Sequence, residues 1–231
     1  MAHPLADLID WAALGVAGHV RFVGSAGQHS EDLAPSRDWS HRLKTLTPSG
    51  FLTGDDRPIP QSRRAAAVLV PLRPPGVDGL WRVLLTQRSS SMPTHAGQIA
   101  FPGGKRQPED ENLIKTALRE THEEVGLDPS LVEVLGELPP YVTVTGFEVT
   151  PVVGIVGTAA PVPDPREVAA VFEVPLNYLM NPINHLRYER RDANGCRSWY
   201  AMPYHDGERL WPIWGATAGM LRNLSHSLWL T

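Results

Sequence analysis

The sequence predicts an α+β fold in which strands outnumber helices. Three observations lead there. Short apolar runs broken by Pro and Gly recur from residue 65 to 213, an amphipathic helix interrupts them at 112–125, and a second apolar helix follows at 214–228. With 231 residues, 42% of them hydrophobic, the chain has enough apolar side chain for a real core.

Residues 1–62 differ in texture from the rest and are expected to form an N-terminal arm or pre-domain, with residues 63–231 as the main domain. In the arm, Leu5, Leu8, Ile9, Ala12 and Val16 recur at helical spacing, which predicts a short helix over 5–16. Residues 24–61 are rich in Ser, Gly, Pro and charge, and Trp39 is a candidate anchor to the main body. The main domain opens with a continuous apolar run, 65–72, ended by Pro74-Pro75-Gly76, the pattern of a buried strand. A second run at 80–86 makes the pair read as a hairpin across 73–79. A polar loop, 87–97, leads to a short strand through Ile99 and Phe101 that is expected to stop at Pro102-Gly103-Gly104. In the helix at 112–125, Leu113, Ala117, Thr121 and Glu124 share one side, Ile114, Leu118 and Val125 widen the apolar face, and Gly126 is the stop. Runs at 131–138 and 149–156 predict two more strands, and segments at 186–188, 199–204 and 209–213 are expected to complete the sheet.

Composition narrows the function. A net charge of −4 gives no basic field to hold nucleic acid or an anionic membrane, so an anionic substrate must be held by local cations or by metal. Cys196 is the only cysteine, which excludes an internal disulfide and a multi-cysteine zinc site. No apolar run reaches the roughly 18 residues needed to span a bilayer, and no leader pattern opens the chain. A cytoplasmic protein with a small-molecule substrate is the expectation.

The helix at 112–125 carries the chemistry. Glu120, Glu123 and Glu124 stand at i, i+3 and i+4, close enough on the helix surface to repel one another by a few tenths of a kcal/mol per pair, on the order of 0.2–0.5. Hard oxygen ligands at that spacing suit Mg²⁺ or Mn²⁺, which also accept water and substrate phosphate oxygens. Arg119 can orient one of the carboxylates, and Gly103-Gly104 lets backbone approach a ligand closely and offers a carbonyl oxygen to a metal.

Together Gly104, Glu111, Arg119-Glu120-Thr121, Glu123-Glu124 and Gly126-Leu127 resemble the Nudix box, a glycine-led loop and helix written G-x5-E-x7-R-E-U-x-E-E-x-G-U with U apolar. Six residues instead of five separate Gly104 from Glu111, and Thr121 fills a position usually aliphatic. The resemblance implies an α/β/α sandwich around a mixed sheet. It also implies metal-dependent diphosphate hydrolysis, with Glu120 and Glu124 as metal ligands, Glu123 as a third ligand or water-orienting group, Gly104 as a carbonyl ligand, and Arg119 with Glu111 holding loop to helix. Similar folds often dimerise, which leaves a homodimer open.

The flanks narrow the resemblance. Leu84-Leu85-Thr86-Gln87-Arg88-Ser89 and the run His95-Ala96-Gly97-Gln98-Ile99-Ala100-Phe101-Pro102-Gly103-Gly104 resemble the signature of the coenzyme A pyrophosphatase subgroup, which shares the longer glycine-to-glutamate spacing. Arg88, His95 and Gln98 are then the candidate substrate contacts, although Met92-Pro93 stands where the subgroup often has Leu-Arg. Glu167 looks like the further acid that many Nudix enzymes place in a late loop and helix. The implied reaction is attack of water on one phosphorus of coenzyme A, with Glu123 or Glu167 taking the proton. Its products would be adenosine 3′,5′-bisphosphate and 4′-phosphopantetheine. Hydrolysis of ADP-ribose or NADH is the first rival, and a non-catalytic nucleotide-binding regulator the second.

Overall fold

A computed structural model describes residues 3–14, 16, 18–26, 39–44, 63–193 and 195–230. Among them the strands are β1 (Val20–Ser25), β2 (Arg64–Arg73), β3 (Arg82–Arg88), β4 (Ile99–Ala100), β5 (Gly103–Lys105), β6 (Val132–Glu137), β7 (Tyr141–Val142), β8 (Phe147–Val156), β9 (Val168–Pro175), β10 (Leu186–Asp192), β11 (Gly195–His205) and β12 (Leu210–Trp214). The helices are α1 (Trp39–Lys44), α2 (Leu113–Val125), α3 (Leu176–Met180) and α4 (Gly215–Leu230).

Strand β2 is apolar from Ala66 to Leu72 because both of its faces are covered there. Ala66, Val70 and Leu72 enter a core shared with α3 and α4, while Ala67 and Leu69 enter the core beneath α2. It runs parallel to β8, from Arg64 opposite Phe147 to Leu72 opposite Ile155. The mixed sheet runs β4-β3-β2-β8-β6, with β5 added to β2, β7 to β8 and β9 to β3. The expected hairpin is brief. β2 meets β3 only at Leu72 with Val83 and Arg73 with Arg82, after which β3 leaves to pair with β9 and β4.

Helix α2 lies on one face of this sheet and the longer α4 on the other, giving the α/β/α arrangement. Ala117, Leu118 and Val125 of α2 pack on Leu69, Leu84 and Val152, each large side chain contributing about 1.5–3 kcal/mol by burial. Asn112 caps the helix by accepting from the Lys115 amide at 2.9 Å, and Gly126 ends it at φ 68° with its amide donating to His122. On the other face, Gly219 of α4 permits close approach to Tyr141, where a Cβ would lie 2.5 Å from Cε2.

Two expectations are corrected. The strands at 186–213 do not complete the mixed sheet; β10, β11 and β12 form a second, antiparallel sheet whose other edge is β1 of the N-terminal arm. The described residues of that stretch, 5–14 and 16, form turns and irregular chain and no helix. Ala6, Ile9 and Trp11 bury their side chains against Tyr188, Trp199 and Ala201, so apolar spacing that mimics a helix reflects packing onto the second sheet. Trp39 of α1 is buried and donates from Nε1 to Asn177 Oδ1 at 3.2 Å. The rest of the stretch from 27 to 62 lies outside the described residues. Among the described residues no helix is long and apolar enough to cross a membrane.

His185 follows the short turn Pro182–Asn184, is buried, and donates from Nε2 to the Leu179 carbonyl at 2.7 Å. Burial pushes its pKa down to about 4, aided by the Arg222 charge and opposed by the Leu179 bond. The unfolded side chain titrates near 6.5, so the unfolded state takes up the proton first as pH falls. This contribution is complete above pH 6.5 and is lost on the way to pH 4, about 3 kcal/mol in all. Denaturant unfolding of the native chain and of His185→Gln is therefore expected to give a stability difference that moves against the native chain by that amount between pH 7 and 4. Subtraction cancels every other titrating group, and a difference independent of pH would refute the prediction.

Candidate active site

Helix α2 presents Glu124 on the same stripe as buried Ala117 and Thr121, so this carboxylate is carried into the protein by the helix's apolar face. Glu124 is 4% exposed. Its Oε2 accepts the Gly103 amide at 3.1 Å, and Arg88 Nη1 lies 3.6 Å from its Oε1. Burial pushes its pKa up to about 7; the amide and Arg88 oppose the rise, and the negative charges of Glu120 and Glu167 add to it. Burial likewise raises the Glu120 carboxyl, with Arg119 opposing and Glu123 and Glu167 reinforcing.

The glycines belong to a strand, where the sequence pattern ends one. β5 pairs Gly103 with Val68 and Gly104 with Ala67. At Gly103 φ is 154° and a Cβ would lie 2.4 Å from the Ala67 carbonyl oxygen, so sheet crowding requires glycine. At Gly104 a Cβ would lie 2.5 Å from the Glu120 carboxylate, so the missing side chain leaves room for that carboxylate against the strand.

Arg119 is the hub. Nε and Nη2 grip Asp110 at 2.9 and 3.0 Å, Nη1 reaches Glu120 at 2.9 Å and Glu123 at 3.0 Å, and Nη2 also donates to the Lys105 carbonyl at 3.3 Å. The loop acid is therefore Asp110 and not Glu111, which is exposed and contributes only its carbonyl to Arg106. A turn from Gln107 to Asp110 directs the Asp110 carboxylate inward, where it also accepts the Gln107 amide and the Thr116 hydroxyl, each at 2.9 Å. Arg119 holds this carboxyl far below the ordinary range. Five residues separate Gly104 from Asp110, the spacing the Nudix signature gives its loop acid. Thr121, in the usually aliphatic position, is buried and returns its hydroxyl to the Ala117 carbonyl at 2.7 Å.

Glu167 sits in a turn before β9, its carbonyl accepting the Ser89 amide at 2.7 Å. The residues after it form β9, and the helix of this late stretch, α3, starts only at Leu176. The turn is tied to the end of α2, with Asp164 donating its amide to the Glu124 carbonyl at 2.9 Å. The loop between β3 and β4 is closed at its neck by the Arg88 amide on the Gln98 carbonyl and the Gly97 amide on the Arg88 carbonyl, at 3.0 and 3.1 Å. Farther out, His95 has φ 59° and its Nδ1 meets Gln98 Oε1 at 3.0 Å.

The fold thus brings Glu120, Glu124, Glu167 and Arg88 together beside Gly103-Gly104. Glu123 joins them through Arg119, with its side chain 52% exposed. His95 and Gln98 engage each other and form no hydrogen bond or ion pair with the glutamates. Among the described residues no three His, Cys, Asp or Glu side chains gather into a closed ligand set. An open site still fits Mg²⁺, which binds through one or two carboxylates and completes its shell with water and substrate phosphates. A buried Glu124 whose countercharge is the Arg88 guanidinium at 3.6 Å, and a glycine gap beside Glu120, are the features that fit a cation.

The family model for the NUDIX domain matches residues 62–213. The chain belongs to the Nudix family. The uncharacterized Nudix hydrolase NudL of Enterobacter sp. (strain 638) is 45% identical over 174 residues, covering 71% of this chain and 82% of that protein. Nudix hydrolase 15, mitochondrial, of Arabidopsis thaliana is 41% identical over 161 residues, covering 68% of this chain and 56% of that protein. The Nudix hydrolase RenU of M. smegmatis shares the fold at a TM-score of 0.50 with 20% identity, over 77% of this chain and 93% of that one. By family the protein is a Nudix pyrophosphohydrolase, and Nudix hydrolases generally need divalent metal ions.

Proposed function

We propose that the protein hydrolyses the diphosphate linkage of coenzyme A or its derivatives, releasing adenosine 3′,5′-bisphosphate and 4′-phosphopantetheine. One observation carries this reading: Arg88, from the stretch that resembles the coenzyme A signature, lies against Glu124 of the glutamate helix. The loop holding the candidate substrate contacts and the helix holding the candidate metal ligands thus meet at one point.

In this reading Glu120 and Glu124, with the Gly104 carbonyl and Glu123, would hold Mg²⁺ or Mn²⁺. The bound cation would neutralise charge on the diphosphate oxygens and lower the pKa of the attacking water. Glu167 takes the proton from that water, favoured over Glu123 because the Glu123 carboxylate is already held by Arg119 at 3.0 Å. Arg119 keeps Glu120 and Glu123 in place. Arg88, beside Glu124, would offer its guanidinium to a diphosphate oxygen, and His95 and Gln98 would offer donors farther along the substrate. Water adds to one phosphorus as the bridging P–O bond breaks, and the leaving phosphate takes the electron pair.

The test is turnover of coenzyme A, ADP-ribose and NADH with and without Mg²⁺ or Mn²⁺, with products identified by mass. Coenzyme A is expected to be cleaved to the two named products only with metal. A wide preference for ADP-ribose or NADH would overturn the substrate, and binding of any of them without metal-dependent turnover would favour a regulator.

A further inference from the structure

We infer that Arg209, on the tip of the β11–β12 hairpin, is a positioning residue for the loop between β3 and β4; the inference rests on reading that loop as the substrate-binding element. Arg209 Nη2 donates to Gln87 Oε1 at 2.8 Å, and Gln87 Nε2 donates in turn to the Gly97 carbonyl at 3.2 Å. Gly97 is the residue whose amide closes the loop neck on the Arg88 carbonyl. A chain of three hydrogen bonds therefore runs from the second sheet to Arg88, which contacts Glu124.

The second sheet holds Arg209 firmly enough to transmit position. Its guanidinium stacks on Trp211 at 4.0 Å, and Trp211 stacks on Phe172 of β9 with ring centres 3.9 Å apart and planes 8° from parallel. Asp206 locks the hairpin turn, accepting from Trp211 Nε1 at 2.7 Å and from the amides of Glu208 and Arg209 at 2.9 and 2.8 Å. Because guanidinium orientation is fixed by stacking, the bond to Gln87 costs little further side-chain freedom. Gln87 meets Arg209 beside the α4-side core that holds Leu85, Phe172 and Trp211, and a register shift of β3 against β9 at Gln87 and Arg88 accompanies the turn of Arg88 toward Glu124 of α2. Arg209 thus braces the loop from the side opposite α2, without a place in the chemistry itself.

The test compares Arg209→Ala, Arg209→Lys, Gln87→Ala and Gln87→Glu with the native chain, reading backbone hydrogen exchange in residues 88–98 without substrate, and KM and kcat with coenzyme A. Arg209→Ala is expected to speed exchange in the loop and raise KM about fivefold, the size of one lost hydrogen bond, with kcat and the unfolding midpoint nearly unchanged. Arg209→Lys should recover part of the loss. Gln87→Glu keeps the Arg209 contact but cannot donate to Gly97, so it should match Gln87→Ala in loop exchange. The double Arg209→Ala, Gln87→Ala variant should be no worse than Gln87→Ala alone. Unchanged exchange in Arg209→Ala, or effects of the two alanine variants that multiply, would overturn the inference. Exchange needs no substrate, so faster exchange in a protein that ignores coenzyme A would support Arg209 while sinking the substrate assignment.

Discussion

Glu120→Gln and Glu124→Gln are each expected to lower turnover by about three orders of magnitude while leaving the fold intact. Glutamine keeps the volume and an acceptor oxygen, so at position 124 the Gly103 amide retains its partner, but the charge that would hold a cation is gone. The two variants should differ in stability. The folded Glu124 has its pKa near 7 against 4.5 unfolded, so the folded state is the better proton binder and stability falls as pH rises from 4.5 to 7. At pH 8 the metal-free Glu124→Gln chain should be more stable than the native one, by at most about 3 kcal/mol. Mg²⁺ should raise the unfolding midpoint of the native chain by mass action and leave that of Glu124→Gln nearly unmoved. Near-normal turnover in both variants would sink the metal assignment, whatever the substrate.

The parts of this site that were legible in the sequence are those set by local rules. α2 announces itself through its apolar spacing, Asn112 before its first turn and Gly126 after its last, and those rules fix which side chains share its faces. A glutamate on the apolar stripe, Glu124, is the sequence's own sign that the helix does something besides pack. Side-chain partners across an irregular turn are a different matter. Asp110 and Glu111 are adjacent and chemically alike, and a single turn at Gln107 decides which one faces Arg119. The clue was Thr116, a hydroxyl placed on the buried side of the first helical turn, which needs an acceptor and finds Asp110. The second sheet was illegible for a further reason. Alternation identifies β10, β11 and β12 as strands but not which sheet they join, and their edge partner β1 lies far earlier in the chain, at Val20 opposite Arg190.

The assignment of Asp110 leads to the second large effect. Arg119→Met keeps most of the apolar stem but leaves Asp110, whose side chain is 5% exposed, with no countercharge, and frees Glu120 and Glu123 to repel each other. Breaking a buried pair from one side costs about 3–5 kcal/mol, and the lower end applies because Arg119 keeps a quarter of its side chain in water. The loss should depend on pH in a defined sense. Asp110 has its folded pKa depressed, so the stability it contributes is complete above its unfolded value of 3.8 and disappears as pH falls below that. The gap between native chain and variant, measured by urea unfolding, should therefore be widest near neutrality and narrow in acid. Pairing the change with Asp110→Asn removes the orphaned charge, so the double variant should be more stable than Arg119→Met alone. Glu111→Gln, altering an exposed side chain with no bond to Arg119, should stay within about 0.5 kcal/mol of the native chain. If instead Glu111→Gln carries the loss and Asp110→Asn does not, the loop pairs with the helix through Glu111 and the turn at Gln107 has been assigned the wrong carboxylate.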